Sequence, residues 1–184
     1  MGWSDNPYER KISIYLLISA FFIISFWMYF SYLPLSSKKN KAYQPYKLDA
    51  KFYYQSEKVK HSLEKMGTEG RNGYLNYLVV DLFYPIFYGL FFFFALTYLY
   101  KIKMNGDPLF NLSKSLPFAL VIADWLENTL LFILVESYPN TSKTLGNLTG
   151  ITTALKWSIA AIIFLFLLTG LVKMTYHYVK EHFF

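Results

Sequence analysis

Apolar and polar positions are sorted along this chain on two length scales. On the longer scale, four runs at 12–33, 75–100, 116–135 and 151–172 are almost free of charge, and polar segments separate them. An α-helix needs about 20 mostly apolar residues to cross a hydrocarbon layer ~30 Å thick, and each run meets that length. The pattern predicts an all-α fold in which the whole chain forms one domain, an integral membrane antiparallel four-helix bundle. Arg10 and Lys11 precede the first run as they would a secretory signal, but its apolar core is too long for one. Leu33-Pro34 reads as the exit of a helix, so the first run is an uncleaved span.

The shorter scale appears in the connection 34–74. Its first part, PLSSKKNKAYQPYK, is lysine-rich, holds two prolines and lacks periodicity, and so reads as loop. Further on, Val59, Leu63 and Met66 recur at i, i+4, i+7 while Glu57, Lys58, Lys60, Glu64 and Lys65 take the other face. Gly67 stands where that helix would stop. The pattern predicts a short amphipathic helix at the membrane interface, with Tyr53 and Tyr54 at headgroup level. The glycines of GTEGRNG, 67–73, follow a helix and lack a Gly-Lys-Ser/Thr, so they read as a turn and not as a phosphate loop. Asn105-Gly106-Asp107-Pro108 is turn chemistry in the second loop. The third loop, 136–150, holds glycosylation acceptors at Asn140 and Asn147, which matter only in a eukaryotic lumen.

Composition agrees with a lipid-facing chain: 54% apolar, 21% aromatic and no cysteine, which excludes disulfides and thiolate chemistry. The net charge of +6 comes from tails and connections, so it reads as membrane-flanking lysine and not as a nucleic-acid surface. Orientation stays open, because the two sides carry seven and ten Lys/Arg.

Charge inside the runs changes the picture most. The first run has none, the second only Asp81, the third Asp124 and Glu127, the fourth only Lys156. Counted at ~1.5 Å per residue from the side of the long loop, Lys156 lies about 8 Å deep, Asp81 about 10 Å, Glu127 about 12 Å and Asp124 about 16 Å. Three helices thus place their charges in the same half of the membrane. Asp124, Glu127 and Asn128 fall at i, i+3, i+4 and share one helical face, which must turn inward because a central charge facing lipid costs at least ~2.5 kcal/mol. Pro85 frees the carbonyl of Asp81 and predicts a kink beside it, where Tyr84 and Tyr88 bring hydroxyls and Gly89 permits close approach. The candidate polar cluster is Asp81, Tyr84, Tyr88, Asp124, Glu127, Asn128 and Lys156. It either fixes helix packing through pairing with Lys156 or presents surplus acids to a proton or a cationic ligand. Trp125 and Trp157 read as interface anchors or as partners of a cation.

His61, His177 and His182 lie outside the runs without ligand spacing, so no metal site and no cofactor is expected. No nucleophile elbow or triad is present, and no catalytic residue is assigned; carboxylate acid-base chemistry is the only catalysis the chain offers.

Asp81, Pro85, Tyr88 and Gly89, followed by Ala123-Asp124-x-x-Glu127-Asn128 and Lys156-Trp157, resemble small four-span membrane proteins. The layout is also similar to the EXPERA superfamily of sterol isomerases and the sigma-2 receptor. That resemblance implies intramembrane acids around a pocket for sterol-like or cationic amphiphiles. The chain lacks the intramembrane histidine that the isomerases use and has no acid in its first span. The expected function is therefore binding of a lipid or cationic amphiphile, with membrane lipids as partners and no nucleic acid. The alternative is a non-enzymatic accessory subunit that meets other membrane subunits or a second copy of itself. A small proton-coupled transporter is a third reading, for which a four-span chain would have to dimerise.

Overall fold

The computed structural model describes residues 6–36, 42–104 and 106–183, with side chains described except at 28–36 and 181–183. Residues 37–41 of the segment read as lysine-rich loop, and the turn residue Asn105, lie outside the described residues. The chain is all-helical, with no strand among the described residues. Among the described residues these α-helices follow one another: α1 (Pro7–Ser36), α2 (Ser56–Asp81), α3 (Tyr84–Leu96), α4 (Leu109–Ser113), α5 (Leu116–Glu136) and α6 (Lys143–Phe183). A π-helical turn, Thr97–Lys103, extends α3. Four helical stretches are long and apolar enough to cross a membrane.

Gly67 does break its helix, at φ +62°, a conformation that costs an L side chain but not glycine. The break divides α2, and Arg71 holds the joint by donating to the Leu63 carbonyl at 3.0 Å while its guanidinium lies 4.3 Å from the centre of the Tyr138 ring. The amphipathic stretch before the break is helical as expected, and its apolar face packs on protein. Val59, Leu63 and Met66 are buried in a protein core with Leu48, Tyr54, Leu131, Leu134 and Val135. Tyr54, expected at headgroup level, belongs to that core; Tyr53 is exposed. The folded-back chain before α2 covers what lipid was expected to cover.

The second apolar run is interrupted between Asp81 and Tyr84. Pro85 has no N–H to continue the ladder, and Ile86 N–H takes the Phe83 carbonyl at 3.2 Å. The Leu82 carbonyl is thereby left over, and the Trp125 indole N–H donates to it at 2.8 Å. Trp125 thus closes the gap in the neighbouring helix.

Helix α5 shows why its acids point inward. Its buried stripe runs Pro117, Leu120, Ala123, Asp124, Glu127, Asn128, Leu131, Leu134 and Val135, the three-and-four spacing of one helical face. The polar residues occupy the centre of the same stripe that the leucines use for packing. Helix α6 begins at Lys143, inside the segment expected to be loop. Asn147 therefore sits on a helix, and its side-chain oxygen accepts the Ser56 N–H at 2.9 Å, capping α2. Gly150 lies where α6 meets the chain leading into α2, since a Cβ there would stand 1.9 Å from the Tyr54 carbonyl oxygen. Helix α1 leans on α3 through stacked rings, with Tyr15 on Phe94, Phe22 on Phe87 and Phe26 on Tyr84.

Candidate functional site: a cavity with a charged end and an apolar end

Asp81 is the last residue of α2, Asp124, Glu127 and Asn128 lie mid-way along α5, and Lys156 lies on α6. All five are buried. Lys156 Nζ forms an ion pair with Glu127 and lies 3.8 Å from Asp124 Oδ1. Glu127 is fully buried, and the Thr153 hydroxyl donates to its other oxygen at 2.6 Å. The Asn128 amide donates to Asp81 Oδ2 and to Asp124 Oδ1, at 3.3 Å each. The Tyr88 hydroxyl donates to Asp124 Oδ2 at 2.5 Å, the length of a charge-assisted bond. Tyr84 reaches the group through its ring, edge-on to Tyr88 at 5.5 Å.

Sequence reasoning missed Lys47 and Asp49, which the chain after α1 folds back into the cluster. Asp49 accepts the Tyr74 hydroxyl at 2.7 Å and the Tyr77 hydroxyl at 3.2 Å, and it pairs with Lys47 at 3.4 Å. Its backbone carbonyl takes Lys156 Nζ at 3.4 Å. Lys47 Nζ also stands 3.5 Å from the centre of the Tyr77 ring. Burial pushes the Tyr43 hydroxyl up to about 12 and raises that of Tyr54, so both stay neutral beside these charges. One signal was available: Asp49 is the lone acid between Pro34 and Glu57, in a segment otherwise basic and tyrosine-rich.

These side chains form one end of a cavity of about 410 Å³. Lys47, Asp49, Asp81, Asp124 and Lys156 line it at that end, and Phe92, Leu120, Ala160 and Phe164 line the other. The helical spacing sets the length: Leu120 to Asp124 covers four residues, about 6 Å, and Lys156 to Phe164 eight, about 12 Å. Trp157 and Phe164, both on α6 and both exposed, edge the cavity toward the outside of the helices. Gly89, whose missing Cβ would meet Val121 at 2.5 Å, lets α3 and α5 close together behind it. Chemically, the arrangement offers carboxylates, two ammonium groups and phenol hydroxyls to a head group, and aromatic and aliphatic walls to a tail. Among the described residues no group of three or more His, Cys, Asp or Glu is arranged to hold a metal ion.

The class this fold defines is an all-helical protein with four helices long and apolar enough to cross a membrane. Compared with known proteins, the chain matches no family model, no curated protein and no solved structure.

Proposed function

We propose that this is an integral membrane protein, its four long helices running antiparallel, that binds a lipid or cationic amphiphile in the cavity between α3, α5 and α6. The observation that carries the reading is the polarity of the cavity along its length. A charged end passes within about 6 to 12 Å into an apolar end, the dimensions of a head group and the first part of a tail. The volume also falls within the range of about 300–1,000 Å³ usual for small-molecule sites. Asp124 and Asp81 meet the head, and Phe92, Leu120, Ala160 and Phe164 hold the tail. This is the pocket type implied by the likeness to the EXPERA superfamily. A filled interior would instead have favoured a purely structural subunit.

Asp124→Asn tests the reading because it removes a charge while keeping size and most hydrogen bonding. Dodecyltrimethylammonium binding to the protein in nanodiscs should weaken tenfold or more, with little change in the unfolding temperature. Unchanged affinity would refute the role of this carboxylate. The accessory-subunit reading draws on the Lys156–Glu127 pair, which is satisfied inside the chain, and it requires that neither variant nor unaltered protein bind the probe.

A further inference from the structure

At the charged end of the cavity two carboxylates share one donor. Asp81 Oδ2 and Asp124 Oδ1 accept from the same Asn128 nitrogen, so they lie within two hydrogen-bond lengths of each other. The charged groups facing this point are Lys47 and Asp49 from the chain after α1, Asp81 from α2, Asp124 from α5 and Lys156 from α6, with Glu127 behind. The phenols Tyr74, Tyr77, Tyr84 and Tyr88 surround them. Four carboxylates thus face two ammonium groups.

The two cations are already engaged. Lys47 pairs with Asp49, which also takes two tyrosine hydroxyls, and Lys156 pairs with Glu127, which also takes Thr153. Asp124 has the Tyr88 hydroxyl, the Asn128 amide and Lys156 at 3.8 Å. Asp81 has the Asn128 amide at 3.3 Å and no ion pair among the described residues. Two like charges this close, both buried, are not both ionised unless a cation stands between them. The less supported of the pair is Asp81. The side-chain oxygen of Asn128, buried beside it, lacks any donor, and a proton on Asp81 would bring one into the cluster.

We propose that Asp81 holds a proton while the cavity is empty and gives it up when a cationic head group enters, so that binding exchanges one proton for one cation. The inference rests on the amphiphile-binding reading and adds its regulation by pH. The proton leaves to water, Asp81 becomes a carboxylate, and the incoming charge balances it. Low pH therefore empties the site and higher pH fills it.

Dodecyltrimethylammonium is a suitable probe because its charge is permanent and it has no proton of its own to release. Its affinity for the protein in nanodiscs should rise about tenfold per pH unit on the acid side, the slope of one exchanged proton. Calorimetric titration of the unaltered chain in buffers of different ionisation heat should give release of about one proton per ligand. In Asp81→Asn, which fixes the neutral state, the probe should bind only with the weak affinity that the unaltered chain shows at low pH, with a flat pH profile and no proton release. Binding by the unaltered chain that is independent of pH overturns the coupling and leaves the ligand reading standing. A slope that persists in Asp81→Asn overturns the assignment to Asp81. No binding at any pH overturns the ligand reading and the coupling with it.

Discussion

Lys156→Met should destabilise the protein by about 3–5 kcal/mol, the range for removing one partner of a buried ion pair. Glu127 is 0% exposed, and among the described residues Lys156 is its only cation. Once the ammonium is gone the carboxylate keeps Thr153 as a donor and has no opposite charge in a medium that solvates it poorly. Glu127→Gln should be harmful for the converse reason, although Lys156 retains Asp124 at 3.8 Å and the Asp49 carbonyl at 3.4 Å. The two changes together should recover much of what either removes, because a methionine beside a glutamine leaves neither member of the pair as a lone charge, although Asp124 loses the ammonium at 3.8 Å. Thermal or denaturant unfolding of the two single variants and the double variant measures the coupling. Losses that simply add would mean the pair does not act as a unit.

Gly150→Ala should be the other severe change, about 3 kcal/mol, at the upper end for overpacking by a single methyl group. Alanine favours a helix over glycine, and α6 is continuous here, so propensity alone would make the substitution stabilising. Contact decides the sign instead. The added carbon would stand 1.9 Å from the Tyr54 carbonyl oxygen and 2.9 Å from its carbon, both backbone atoms that cannot rotate away. Helix α6 must then separate from the chain 51–55, and the Asn147 cap on Ser56 and the Tyr54–Thr153 hydrogen bond at 3.1 Å would be strained with it. Unfolding of Gly150→Ala at or above the temperature of the unaltered chain would show that this approach is loose.

How much was legible in the sequence follows from the kind of signal each feature leaves. Helix-forming apolar runs are local, and all four appear as helices. Asp124, Glu127 and Asn128 could be placed on an inward face because their spacing matches the period of the leucines around them. Gly67 announced its break for the same local reason. Asp49 and Lys47 left no such trace: their segment has neither helical nor strand period, and only the return of the chain over α2 gives them partners. The hydrogen bond of Trp125 left no trace either, because it depends on which carbonyl is left unpaired at the break before Pro85 on another helix. Asn147 read as a glycosylation acceptor because a three-residue pattern carries no information about the helix cap it serves. Tyr88 stood out only as a hydroxyl near an acid, and its 2.5 Å bond runs to Asp124 on α5 and not to Asp81, nearer in sequence.

The cavity itself tests the account most directly, and native mass spectrometry of the gently extracted protein reads its content. Ala160 lines the apolar end, so Ala160→Phe fills the space for a tail while leaving every charged group in place. The unaltered chain should carry one amphiphile of defined mass, and the Ala160→Phe variant, folded to the same extent, should travel without it. A bare mass for the unaltered chain, or an adduct equally abundant in the filled variant, would contradict binding in this cavity.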